Sequence, residues 1–241
     1  MRRIAGEECD AARDRGETGY PAMWEADRVE LIEDCVEWLQ HEREDELTRA
    51  LPLVAVEARF GQRWAGEKQG SLSQSQPIEI KLPSGTLRLH GRIDRVNWDE
   101  RRSRFRVVDY KSGRRKAAKP GELKGGLLLQ LPLYALAAAK LLGIDPTAGA
   151  AAYVYPTRKG EFKVDEWTAE NLADRHTDVL ALIDAIVTSA RQGDFLIAPS
   201  DGACDYCPFK DICPGARGGY ADRKPNDDRL ARLATQIRSI E

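Results

Sequence analysis

Apolar and polar positions alternate most clearly between residues 87 and 111. Arg104–Lys111 places Phe105, Val107, Asp109 and Lys111 at spacing two, so these four share one face of a strand. Phe105 and Val107 mark that face as buried, and Asp109 and Lys111 stand at its rim, their Cα atoms about 7 Å apart at the usual rise per residue. Leu87–Trp98 reads as the preceding strand. Its apolar parity changes from Leu87, Leu89 and Ile93 to Val96 and Trp98, which predicts a bulge near Asp94. The charged link Asp99-Glu100-Arg101-Arg102-Ser103 predicts an antiparallel hairpin that brings Asp94 near Asp109.

Charge at the end of an apolar face is costly unless it is paired or bound to metal. Two carboxylates and a lysine there suit a hard cation with oxygen ligands, Mg²⁺ or Mn²⁺. Such a cation activates water and clamps a phosphate oxygen, while Lys111 would hold the nucleophile or offset charge developing in the transition state. These residues alone equally permit a plain surface ion pair between Asp109 and Lys111.

Other periods fill in the chain. Residues 1–25 are charged and aperiodic, which predicts a poorly ordered lead-in. Ala26–Glu44 is a helix with Val29, Ile32, Cys35, Val36 and Leu39 on one face, where Cys35 is expected as a small buried hydrophobe. Pro52–Phe60 is a strand, with Glu57 either an additional acid or, preferably, the partner of Arg59 or Arg63. Ile78–Leu82 is a short strand followed by a turn at Pro83-Ser84-Gly85. Leu127–Leu142 is an apolar helix with Pro132 in its first turn and Gly143 as its left-handed cap. Gln130 and Tyr134, four apart, share a face of it. Gly149–Tyr155 is another strand, and Thr168 caps a long helix to about Gln192. His41, His90 and His176 have no partner pattern.

At 241 residues, 42 % hydrophobic and 32 % charged, the chain suits a soluble domain with one substantial core. A net charge of −2 gives no global field for nucleic acid. The basic residues Arg101, Arg102, Arg104, Arg106, Lys111, Arg114, Arg115, Lys116 and Lys119 nevertheless flank the hairpin, as a solvated face or a phosphate track. No apolar run suggests a membrane span or signal peptide, so a cytoplasmic protein is expected. Three of five cysteines, Cys204, Cys207 and Cys213, crowd into ten residues. In a reducing compartment this favours zinc, an iron–sulfur cluster or free thiols over a disulfide framework, and a metal site needs a fourth ligand.

Four segments in this order resemble the PD-(D/E)XK nucleases, in particular the RecB-like nuclease domain at the C-terminus of AddB-type helicase–nuclease subunits. They are Gly91-Arg92-Ile93-Asp94-Arg95-Val96, Val108-Asp109-Tyr110-Lys111-Ser112-Gly113, Gln130-Leu131-Pro132-Leu133-Tyr134, and Cys204-Asp205-Tyr206-Cys207-Pro208-Phe209 with Cys213-Pro214. The resemblance runs from about Leu51 to Pro214. It implies an α/β fold, a restriction-endonuclease-like core with a central mixed sheet flanked by helices, over residues 26–160. A helical and cysteine-rich extension over 161–217 and a charged tail over 218–241 would follow. It implies a metal site at Asp94, Asp109 and Tyr110, Lys111 as catalytic lysine, and Gln130 and Tyr134 contacting the site or the DNA strand.

The implied activity is Mg²⁺-dependent hydrolysis of DNA phosphodiester bonds, as an exonuclease on single-stranded ends in a double-strand-break repair system. The helicase would be another region or subunit, because no Gly-x₄-Gly-Lys-Ser/Thr motif occurs here. Many relatives of this branch carry a four-iron four-sulfur cluster whose fourth cysteine lies far upstream, and Cys9 is the candidate in this chain. The family's early histidine motif is missing, so a truncated fragment or a shortened relative is expected. That absence supports a second reading, a catalytically weak DNA-binding or assembly module that keeps the fold. A third, a zinc-ribbon-type interaction domain, would bind zinc without depending on Asp94.

Overall fold

The computed structural model describes residues 1–45, 49–61, 72–115, 118–194, 207–209 and 212–213. Two compact units are present. The first comprises Met1–Glu79, Arg88–Glu122 and Leu129–His176, and the second Ile80–Leu87, Leu123–Leu128 and Thr177–Glu241.

The first unit is built on a five-stranded sheet in the order β1 (Leu53–Phe60), β4 (Gly91–Asp99), β5 (Arg104–Tyr110), β6 (Gly149–Val154), β7 (Val164–Trp167). Only β5 and β6 run parallel, Val107 beside Ala151 and Asp109 beside Tyr153, and the crossover between them carries helix α3 (Gln130–Leu142). The β4–β5 hairpin is antiparallel as expected, with Arg95 opposite Val108 and Val96 opposite Val107. The mixed sheet flanked by helices is the fold class read from the sequence.

Small side chains set how closely α3 lies on the sheet. Ala135, Ala137, Ala138 and Ala139 of α3 are buried, as is Ala151 of β6 on the face away from Trp38. These short side chains let helix and sheet approach closely, which brings the first turn of α3 to the end of β5. Gly143 ends the helix at φ 70°, the left-handed cap. Gly149 stands opposite Phe105, whose ring fills the space a Cβ would need.

Helix α2 (Pro21–Glu44) corrects the reading of its faces. The side chains with partners on the sheet are Trp38 and Glu42, with Asp45 just beyond the helix, while Asp34 and His41 meet the segment between β6 and β7. Trp38 packs on Val108, Ala152 and Val154. His41 stacks on Phe162. Glu42 receives Arg95 at 2.7 Å, Asp45 receives Arg106 at 2.8 Å, and Asp34 receives Arg158 at 3.2 Å. Cys35, expected inside, is exposed, and so is Val29. A helix can dock through a charged stripe when the sheet offers buried cations to match.

The expected lead-in is corrected too. Arg2–Asp14 forms helix α1 against α2, with Gly6 buried near Ile32 and with the pairs Arg2–Glu33 and Arg28–Asp10. Its residues segregate at helical period but are strongly polar on average, so no apolar stripe marks it in the sequence. Leu87–Trp98 is not one strand: His90 separates β3 (Gly85–Leu89) from β4, and β3 pairs with β2 (Ile78–Leu82) in a separate hairpin. The β1–β4 register shift falls between Leu53 and Ala55 on β1, rather than on β4 near Asp94.

The long helix after Thr168 breaks at Arg175 into α4 (Ala169–Asp174) and α5 (His176–Arg191). Thr168 does cap α4, in a reciprocal box with Asn171. Within the second unit, Asp184 of α5 accepts the Ser84 amide at 3.0 Å, and Arg191 donates to the Ser84 and Thr86 carbonyls. The tail over 218–241 lies outside the described residues, and so does Cys204. No helix among the described residues is long and apolar enough to cross a membrane.

Candidate active site

Asp94 and Asp109 come together at the end of the hairpin away from its turn. One pairing step beyond Arg95 and Val108, Asp94 sits beside the end of β5, and its Oδ2 accepts the Tyr110 amide at 2.9 Å. Gly91 opens β4 because Phe60 of β1 crosses it, 2.9 Å from where a Cβ would lie. Asp109 is buried, 4 % exposed. Its Oδ1 accepts from Gln130 Nε2 at 2.7 Å. Its Oδ2 is ion-paired with Lys111 Nζ at 2.6 Å.

Gln130, the first residue of α3, ties the site together. Its Oε1 accepts from Lys111 Nζ at 3.0 Å, and its Nε2 also donates to Tyr134 Oη at 3.1 Å. Lys111 Nζ further lies over the Tyr153 ring, 5.1 Å from its centroid. β5 ends at Tyr110, but the Lys111 amide still bonds the Val154 carbonyl at 2.8 Å, which fixes the lysine's starting point. All five residues expected to act together, Asp94, Asp109, Lys111, Gln130 and Tyr134, lie in one cluster.

Electrostatics follow from that burial. Removal from water pushes the Asp109 carboxyl above the ordinary carboxylate value; Lys111 opposes the shift and Asp94 adds to it. Burial also raises the Tyr134 phenol, helped by the charges of Asp109 and Asp94 and opposed by Gln130 and Arg92. Tyr153 rises further, again chiefly by burial and then by Asp109. Both phenols therefore remain protonated and can act as donors.

The residues fit a hard cation. They offer two neighbouring carboxylates, the buried Asp109 and Asp94, and Asp94 has no ion-pair partner among the described residues. Among the described residues no group of three or more His, Cys, Asp or Glu forms a metal cage. A Mg²⁺ held by two carboxylates, with water and substrate phosphate completing its shell, needs none. Tyr110 can contribute only through its backbone, since its phenol lies on the opposite face of β5 and accepts from Arg95 at 3.0 Å.

The expected phosphate track is redrawn. Arg106 is 3 % exposed and bound to Asp45 and Glu166, and Arg115 pairs with Asp165. Arg101, Arg102 and Arg104 sit at the hairpin turn, the far end of β4 and β5 from the site. Arg114 is exposed, and Lys116 lies outside the described residues. Besides Lys111, Arg92 stands at the site, two residues before Asp94, paired with Glu57 at 2.7 Å. Glu57 has φ 53°, a left-handed conformation that costs a non-glycine residue about 1–2 kcal/mol. Its pairing with Arg92, where Arg59 or Arg63 was expected and Arg63 lies outside the described residues, and the place of Tyr153 beside Asp109 both require the strand register to be seen.

Of the expected cluster ligands, Cys207 and Cys213 are partly exposed in a turn where the Cys213 amide bonds the Phe209 carbonyl at 2.9 Å. Cys9 is on α1 and partly exposed.

A mixed sheet that presents a carboxylate pair, a lysine and a glutamine–tyrosine helix turn at one edge defines a class of phosphodiester-cleaving folds. The chain belongs to the PD-(D/E)XK nuclease superfamily, whose family model matches residues 2–214. It is also 44 % identical over 88 residues to an ATP-dependent helicase/deoxyribonuclease subunit of Symbiobacterium thermophilum. That match covers 35 % of this chain and 7 % of the relative.

Proposed function

We propose that the chain is a metal-dependent DNA nuclease, cutting phosphodiester bonds at single-stranded ends as an exonuclease and working with a helicase region or subunit in double-strand-break repair in the cytoplasm. The observation that carries the reading is the position of Asp94 beside the buried Asp109 at the open end of the hairpin, with Lys111 paired to Asp109 and no ion-pair partner on Asp94 among the described residues. Two neighbouring carboxylates are costly in a resting fold and useful where a cation is to bind. Asp94, Asp109 and the Tyr110 carbonyl would hold Mg²⁺ or Mn²⁺, which would supply Lewis-acid polarisation of a phosphate oxygen. Lys111 holds a positive charge where the phosphoryl group gains negative charge. Gln130 fixes both Lys111 and Asp109, and Tyr134 offers a neutral donor to the strand.

The test is cleavage of end-labelled single-stranded DNA with Mg²⁺ or Mn²⁺, comparing the wild-type chain with Lys111→Ala. The reading requires metal-dependent cleavage that the variant loses. A folded wild type that binds DNA and cuts nothing with either metal would instead favour the non-catalytic binding or assembly module. We further propose Cys204, Cys207, Cys213 and Cys9 as ligands of a four-iron four-sulfur cluster, supported by the Cys-x₂-Cys-x₅-Cys spacing. Iron and sulfide analysis of protein purified without oxygen tests this, and zinc in place of iron would contradict it.

A further inference from the structure

Glu57, Arg92 and Asp94 form a small charged group at the edge of the site. Arg92 and Asp94 are two apart on β4, with buried Ile93 between them facing the other way. Val56 pairs with Arg95 and Ala58 with Ile93, so Glu57 stands opposite Asp94. A third carboxylate beside Asp94 and Asp109 is unfavourable on its own, and Arg92 offsets it through the 2.7 Å pair. The Glu57 and Arg92 side chains are 49 % and 52 % exposed, so the pair is bathed in water and easily exchanged. Arg92 also acts on the site face, since its charge is felt by the Tyr134 phenol.

We propose that Arg92 binds the backbone phosphate next to the one that a cation at Asp94 and Asp109 would hold, and that Glu57 occupies Arg92 until a strand arrives. The inference rests on the nuclease reading for its choice of ligand. Arg92 lies one side-chain step along β4 from Asp94, about 7 Å at the strand rise, and its planar guanidinium suits a phosphate in the same way as it suits the Glu57 carboxylate. A bound strand exchanges the Arg92–Glu57 pair for an Arg92–phosphate pair and leaves Glu57 to water. Glu57 is then a restraint on binding, and Arg92 a contributor to it.

The two partners therefore have opposite effects, which fluorescence anisotropy can read with a labelled single-stranded oligonucleotide and the full chain in EDTA, where nothing is cleaved. Arg92→Ala weakens binding about tenfold or more, and its log–log salt slope falls by about 0.7, one single-strand phosphate contact. Glu57→Gln tightens binding roughly two- to fivefold. Glu57→Gly, which suits the left-handed backbone, does the same and guards against a folding defect in the first variant.

In the Arg92→Ala background, Glu57→Gln keeps only the smaller gain from lost repulsion. Unchanged affinity and salt slope in Arg92→Ala would overturn the proposal. So would weaker binding in both Glu57 variants, or a Glu57→Gln chain that cuts less without binding more, which would place Glu57 in service of the reaction. Because binding is read without metal, a wild type that fails to cut with Mg²⁺ counts against the nuclease reading and leaves the Arg92 result to be judged separately.

Discussion

The two faces of the central sheet handle buried charge in opposite ways. On the face under α2, each carboxylate has an arginine hydrogen-bonded to it: Glu42 has Arg95, and Asp45 and Glu166 share Arg106. On the face under α3, Asp109 is paired with Lys111 and Glu57 with Arg92, but Asp94 accepts only the Tyr110 amide and has no ion-pair partner among the described residues. The first arrangement locks a helix to a sheet. The second leaves an anionic edge that a cation can complete. The same strand, β5, carries one residue of each kind: Arg106 for the fold, Asp109 for the candidate site.

Removing one partner from the matched face should have the largest effect on stability. Arg106→Ala leaves Asp45 and Glu166 facing a buried void and is expected to cost about 3–5 kcal/mol, as breaking a buried pair does. Urea unfolding measures it, and a loss below about 1 kcal/mol, the range of an exposed pair, would mean that the α2 face is not held by its charges.

On the α3 face a positioning side chain should affect activity far more than stability. Gln130→Ala frees Lys111, Asp109 and Tyr134 from their common tie and should lower kcat about 10–100-fold, with little change in the unfolding midpoint. Equal losses of stability and activity would erase the distinction between the faces.

The smallest effect sharpens the comparison most. Without metal, Asp109→Asn should stabilise the chain by about 1 kcal/mol at neutral pH, because it relieves a desolvated charge next to Asp94. The sign with pH follows from the raised value of Asp109. The folded state holds that proton more tightly than the unfolded state. The stability cost of the charged form is thus absent below the unfolded carboxyl value, grows as pH rises through the raised folded value, and is complete above it. The difference between Asp109→Asn and wild type in EDTA should grow over that window and then level off. A difference that shrinks with rising pH would mean that Lys111 outweighs burial.

Much of the α3 face was legible in the sequence, because its signals are local. The Phe105, Val107, Asp109, Lys111 alternation gave the buried face and its charged rim, the charged link gave the hairpin, and the i, i+4 spacing put Gln130 and Tyr134 on one side of α3. The α2 face was not legible, because its partners are far apart in the chain: Arg106 meets residues 61 positions before it and 60 after it. From spacing alone, Arg106 looked like part of a phosphate track and Cys35 like core. Two elements escaped for want of apolar side chains. α1 is held by ion pairs, and β7 offers one buried side chain, Trp167, in four residues. The Glu57–Arg92 pair needed the β1–β4 register, which no pattern within either strand reveals.

The most direct test of the incomplete face is Mg²⁺-dependent cleavage of single-stranded DNA by wild type and Asp109→Asn, with the unfolding of both measured in EDTA. The account predicts that the variant loses cleavage while it folds at least as stably as wild type. A variant that still cuts, or one that loses cleavage only because it has lost its fold, would contradict it.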